Sequence, residues 1–412
     1  MSMALRMSTA ALGALSILLA ASCANAQPHG VANEPLDPID WREGEAGILD
    51  RHVQLTFEED WLKAGEAYFN PNGDWIIFQA IPQPAPGEAP DRFYSMYVAP
   101  LEFDDGRPVG IGEPIRVSPP GSANTCGFFH PLEADRIIFG STMGEPSPSA
   151  PPGFQRESSQ YVWMFPPEME VVSCRVPAIS GDPDTPPTEL TPITDNPTYD
   201  AECVYSPDGR HLLYCSLQSG AQLGDLYVID TATGESTPLV TAAGYDGGPF
   251  FSPDGTRICY RSDRDGSNLL QIFVSELEFN DRGQVTGVAR EFQLTNDQNV
   301  NWAPYWHPGG KHLVYATSAV SHRNYEVFIV DAAPGDPNSW GEAARYGSNQ
   351  RRVTTANGFD GLPVFSPDGR YMMWTSQRTD DPAGKGSSQL WLADFVMELD
   401  PPRSVSSSHG SR

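Results

Sequence analysis

The chain of 412 residues carries 26 basic and 53 acidic side chains, a formal net charge of −27. Such a surface repels nucleic acid and anionic lipid, and no polybasic run offsets it. No stretch approaches the ~20 apolar residues that a membrane helix needs.

The first 26 residues read as a signal peptide. Arg6 is the only charge before Glu34, Leu12 to Ala21 is a short apolar run, and Ala24-Asn25-Ala26 supplies small residues for cleavage ahead of Gln27. A second reading makes Cys23 the lipidated first residue of an anchored lipoprotein. Ala20 stands where a lipobox usually has Leu, so simple cleavage and a periplasmic location are preferred. Residues 27–50 are then a lead, 51–399 the folded body and 400–412 a disordered Ser-rich tail. Five cysteines remain after cleavage: Cys126, Cys174, Cys203, Cys215 and Cys259. None has C-x-x-C spacing, so buried thiols are the expectation rather than a zinc or redox site.

The body is repetitive. Taken in order, its turns read Phe69-Asn70-Pro71-Asn72-Gly73, Phe129-His130-Pro131, Tyr205-Ser206-Pro207-Asp208-Gly209, Phe251-Ser252-Pro253-Asp254-Gly255, Tyr305-Trp306-His307-Pro308-Gly309-Gly310 and Phe365-Ser366-Pro367-Asp368-Gly369. Proline presets φ, Asp or Asn suits the next position, and Gly takes the left-handed conformation that ends a hairpin turn. Apolar strands follow each turn, as in Trp75 to Phe78, Ile258 to Tyr260 and Tyr371 to Trp374. A third strand comes next, as in Asp225 to Asp230 or Gln389 to Leu392. A fourth ends in Leu190-Thr191, Leu294-Thr295 or Val353-Thr354. Four short strands per repeat and six repeats predict an all-β fold, a six-bladed β-propeller with four-stranded antiparallel blades. The unequal repeat lengths are loop length, most of it in the Pro/Ser-rich stretch from Glu145 to Ser158 within blade 2. The sixth repeat lacks a fourth strand, and His52-Val53-Gln54-Leu55-Thr56 carries that signature at the other end of the body. This strand is predicted to close the ring.

The repeat that runs from Phe251 through Gly255, Ile258, Tyr260 and Ser262-Asp263-Arg264-Asp265-Gly266 to Ile272-Phe273-Val274 resembles that of the TolB-type (PD40-repeat) propellers. The resemblance covers roughly residues 50–396. It implies the propeller fold and, as a role, binding of a protein or peptide. TolB also has an α/β domain ahead of its propeller, where this chain has Gln27 to Asp50, so the partners of TolB are not carried over. The same repeat heads some exported peptidases, whose catalytic domain follows it.

Signs of chemistry are few. The sequence contains no G-x-S-x-G elbow, no H-E-x-x-H and no Walker loop. Lys385-Gly386-Ser387-Ser388 reads as a flexible hairpin tip and Asp263-Arg264-Asp265-Gly266 as a turn. His130 and His307, each one residue before a motif proline, read as structural, as do His52, His211, His312 and His322. One constellation stands out: Asn124, Asp200, Asp246, Asn301 and Asp360 each lie seven residues before a motif proline, and only Ala64 in blade 1 breaks the series. Tyr199, Tyr245 and Phe359 precede the three aspartates, and Glu66 and Glu202 lie two residues beyond the position in their own blades.

Two roles fit that position. Asp or Asn can accept backbone N–H bonds where the chain enters a strand. Alternatively the five residues, with Glu202, ring one mouth of the central channel as an acidic cup for a basic peptide end or a divalent cation. The leading expectation is a non-catalytic protein- or peptide-binding module of the cell envelope, monomeric and without a cofactor unless that cation is one. The rival is a lyase or hydrolase working in the channel, since propellers host unrelated chemistries.

Overall fold

The computed structural model describes residues 40–147, 166–218, 223–333 and 347–399. The segment read as a signal peptide, the C-terminal tail and most of the Glu145 to Ser158 stretch lie outside them. Helix among the described residues is limited to the turn Trp41–Gly44 and the 3-10 turn Pro177–Ser180. Everything else regular is strand. The strands form six antiparallel sheets, each ordered from its innermost strand outward, and together they make a six-bladed β-propeller.

The innermost strands are Trp61–Phe69, Asn124–Phe129, Asp200–Tyr205, Asp246–Phe251, Asn301–Trp306 and Asp360–Phe365. Blade 6 is completed by Leu49–Gln54, which pairs antiparallel with Gln389–Phe395, Val53 opposite Leu392. Leu55 N–H donates to Leu390 O at 2.8 Å, continuing the pairing into the Leu-Thr signature. The ring is thus closed by the N-terminal strand, as its sequence predicts. The strand begins at Leu49, and residues 40–48 of the expected lead are structured against it. Trp41 and Glu45 are buried against blade 6 around the buried Arg378. Glu45 meets both Nη atoms of Arg378 at 3.0 Å, and Trp41, Trp374 and Trp391 lie 4.5, 4.7 and 5.5 Å from the guanidinium.

The motif turns explain the motif. Ser206 Oγ accepts from His211 N–H at 2.9 Å and donates to Asp208, and Gly209, at φ 72°, closes the turn onto Ser206 O. In blades 2 and 5 an imidazole replaces the serine: His130 Nδ1 accepts from Leu132 and Glu133 N–H, and His307 Nδ1 from Gly309 N–H. The turns also touch around the ring, since a Cβ added at Gly255 would lie 3.6 Å from Pro207 and one at Gly369 3.7 Å from Pro308.

The Leu-Thr signature has a similar cause. Thr56, Thr295 and Thr354 each accept, at 2.8 Å, a backbone N–H of a third strand, from Leu390, Ile272 and Val327 respectively. In blade 2 that role falls to Thr194, which accepts from Val171 N–H at 3.0 Å, whereas Thr191 of the expected Leu190-Thr191 pair is exposed. The Lys385 to Ser388 stretch is anchored rather than loose, with Ser387 N–H on Glu58 Oε1 at 2.7 Å and Gly386 N–H on Gln377 O at 2.8 Å.

Candidate functional site

The five strand-entry residues do not open onto the channel. Asp200, Asp246, Asn301, Asp360 and Asn124 are all buried. Each stands opposite a hydroxyl on the second strand of its own blade: Asn124 faces Ser141, Asp200 Ser216, Asp246 Ser262, Asn301 Thr317 and Asp360 Ser376. In blade 1 both members change together, Ala64 facing Ala80. A position that varies with its cross-strand partner belongs to sheet packing.

Further partners engage these residues inside the sheet, though Oδ1 of Asp200 and of Asn301 are buried without a hydrogen-bond donor among the described residues. Asn124 Oδ1 accepts from Ser141 Oγ at 2.7 Å, and Asn301 Nδ2 donates to Gln271 and Asp297. Asp246 accepts from Arg264 Nη2 at 2.9 Å, Arg264 being held in the Asp263 to Gly266 turn. Asp360 accepts from Trp374 Nε1 at 3.1 Å and Arg378 Nη2 at 3.2 Å. Burial raises the carboxyls of Asp200, Asp246 and Asp360 above their ordinary range, Asp200 to about 6. The expected acidic ring is therefore dispersed, one member per blade, and of the residues expected with it only Glu66 and Glu202 are brought together.

What turns these two inward is a bulge. Two residues beyond the entry position, Glu66, Cys126, Glu202, Gly248, Ala303 and Leu362 all have positive φ, between 47° and 59°. In every blade the strand register slips across this residue. Five of the six carry a side chain in a conformation that disfavours one, at a cost of roughly 1–2 kcal/mol each. The extra residue changes the parity of the strand and aims this layer at the axis.

The layer below closes the axis. Tyr68, Phe128, Phe250 and Tyr305, two residues further along, converge from four blades. Tyr68 lies 5.5 Å from Phe250 of the opposite blade, and Phe250 5.0 Å from Tyr305, ring centre to ring centre. Tyr68 also meets Phe128 at 5.7 Å. These rings form a plug. The channel is thus a cup, with the plug as floor and the bulge residues as wall.

The cup's charges form one cluster. Glu202 accepts from Tyr245 Oη at 2.6 Å, from Arg261 Nη2 at 2.8 Å and from Gly248 N–H. Gly248 is required here, because a Cβ would meet Arg261 Nη1 at 2.3 Å. Glu66, half-buried, is the second carboxyl, and Tyr68 Oη lies 3.4 Å from it. Burial raises the Glu66 carboxyl, and the charge of Glu202 adds to the effect. The Cys126 thiol is pushed well up by burial and then by the same two carboxylates, which keeps it protonated and a poor nucleophile. The other four cysteines are buried free thiols, as expected. At the rim, Tyr245 and Phe359 fold back over the glycines that follow their aspartates, where a Cβ at Gly247 or Gly361 would approach the rings to 2.4 and 2.5 Å. Phe359 continues into a half-buried aromatic group with Trp302 at 6.0 Å and Tyr325 at 6.1 Å. Sequence reasoning misses Arg261, Cys126 and the plug. The available signal was the position two and four residues past the Asx.

No family model and no curated protein matches the chain. Solved structures do resemble it. It is similar to putative TolB from Agrobacterium tumefaciens, with 17% identity, a TM-score of 0.47, and 81% of this chain and 90% of that one covered. TolB from Acinetobacter baumannii gives 17% identity and a TM-score of 0.46 over 81% of this chain and 64% of that one. An oligogalacturonate lyase from Vibrio parahaemolyticus gives 11% and 0.44 over 84% and 93%. These likenesses are too distant to transfer an activity. No helix among the described residues is long and apolar enough to cross a membrane, and no group of three or more His, Cys, Asp or Glu among them is placed to hold a metal ion.

Proposed function

We propose that the chain is an exported, non-catalytic binding propeller of the cell envelope, and that its cup takes a cationic and apolar group of a protein or peptide partner. The observation that supports this reading is the cup itself: a recess floored by the plug, with Glu66 partly buried in its wall and an aromatic rim at Trp302, Tyr325 and Phe359. Glu202 already has three donors and Arg261 is engaged with it, so these two build the wall. Glu66 is left to meet a ligand, and its raised carboxyl gains most from a cation that lets it ionise. No cofactor is part of this reading, and the propeller acts as a monomer.

The test is capture from an envelope extract with the mature protein, alongside Glu66→Gln and Cys126→Trp, the second filling the cup. A specific partner retained by the wild type and lost by both variants supports the reading, and a partner retained by Cys126→Trp refutes it. A second reading has one observation in its favour. Glu66 and Glu202 are neighbouring carboxyls in unlike environments, one raised and one locked to Arg261, as in an acid–base pair. A lyase or hydrolase activity abolished by Glu66→Gln, with partner capture unaffected, would decide for it.

A further inference from the structure

The seams between blades are built alike but charged differently. At the seams after blades 2, 4 and 5, a residue at or near the start of the third strand (Glu170, Gln271 or Glu326) lies near the entering residue of the next blade. Between blades 4 and 5 both are amides, with Asn301 Nδ2 donating to Gln271 Oε1 at 3.1 Å. Between blades 5 and 6 both are acids, but Arg352 bonds Glu326 and Arg378 bonds Asp360. Between blades 2 and 3 they are Glu170 and Asp200, both buried, and no salt bridge among the described residues reaches either.

Asn196 joins this pair. Its backbone N–H donates to Glu170 Oε1 at 3.1 Å, and its side-chain amide bonds Asp200. Thr194 Oγ1 donates to the other Glu170 oxygen. The remaining groups facing the pair are Ser216 across the strand pair, Asp195 on the connecting loop and Tyr214 on the second strand of blade 3. All are neutral or anionic. Two carboxyls so placed resist double ionisation. Burial raises both; the charge of Glu170 adds to the rise of Asp200, to about 6, and that of Asp195 adds to the rise of Glu170.

We propose that Glu170 and Asp200, bridged by Asn196, form a proton-operated clasp, which holds the seam between blades 2 and 3 tight while one of them stays protonated and loosens it when both are ionised. As pH rises that proton leaves to solvent and two buried carboxylates remain at one seam. The main chain is part of the clasp, since Asp200 N–H donates to the carbonyl of Met169, beside Glu170, at 2.8 Å. The strand held there carries Glu202, so loosening reaches the wall of the cup. An acid raised in the closed state stabilises closure fully below its ordinary value, and that stabilisation is lost as pH rises through the raised one. Opening therefore grows between 3.8 and about 6 and then levels off, by roughly a hundredfold in all.

Hydrogen exchange on the whole mature protein between about pH 4 and pH 8, corrected for intrinsic rates, reads this directly. Protection of the Asp200 and Asn196 amides should fall by roughly a hundredfold, while the Asn301 amide, bonded to Leu270 O at 2.8 Å in the all-amide seam, holds. Asp200→Asn and, separately, Glu170→Gln should remove the response. Parallel behaviour of the two seams in the wild type, or a response that survives Asp200→Asn, overturns the clasp. The wild-type comparison decides the matter even if a variant fails to fold.

Discussion

Replacing Arg378 by Met tests how the N-terminal segment is locked to the last blade. The guanidinium is fully buried between three tryptophans and is shared by Glu45 and Asp360. Methionine fills a similar volume, so the loss is chiefly electrostatic: two buried carboxylates lose their cation. Breaking a buried pair in this way costs about 3–5 kcal/mol. For a unit of roughly 350 residues the unfolding entropy is about 0.7 kcal/mol/K, so the melting temperature should fall by about 4–7 °C at pH 7. The sign of the pH dependence is a second check. Burial raises Glu45, but Arg378 and His52 outweigh it and hold the carboxyl below its usual value of 4.5. In the wild type this stabilisation is present above 4.5 and is lost as the pH falls through the depressed value. In Arg378→Met both carboxyls are raised by burial, so the variant gains stability on acidification and the gap to the wild type narrows. Calorimetry at neutral and acidic pH reads both effects. A drop below about 1 °C at pH 7, or a gap that widens in acid, would refute the reasoning.

Asp200→Asn should stabilise the protein at pH 7.5, because Asn already serves this position in blades 2 and 5 and removes a carboxyl raised from 3.8 to about 6. That shift corresponds to at most about 3 kcal/mol, or roughly 4 °C, and a lower melting temperature contradicts it. Gly248→Ala should destabilise by about 1–3 kcal/mol through positive φ and the clash with Arg261, whereas Ala303→Gly, at the same repeat position, should be neutral or stabilising in urea titrations. Deleting residues 27–57 should abolish cooperative unfolding by exposing two sheet edges, and an unchanged melting curve would count against ring closure by that strand. A fluorophosphonate probe should leave the mature protein unlabelled, since the sequence has no nucleophile elbow, and stoichiometric labelling would overturn that.

The blade count, the turns and the closing strand are legible in the sequence because each is written in consecutive residues. Ser206-Pro207-Asp208-Gly209 folds its turn with its own atoms, and Leu55-Thr56 repeats a two-residue signature whose hydroxyl accepts a third-strand N–H in other blades as well. The recurring Asx position is equally legible, but its direction is not. Alternation along a strand cannot say which face a residue takes once a bulge has shifted the count by one, and the bulge sits at ordinary residues such as Cys126, Ala303 and Leu362. Closure of the ring decides the rest. Arg261 meets Glu202 from the next blade and Tyr68 meets Phe250 from the opposite one, across sequence separations of 59 in the first case and far more in the second. Only when the six sheets share one axis do a single charge cluster and a single plug form from residues that the chain keeps apart.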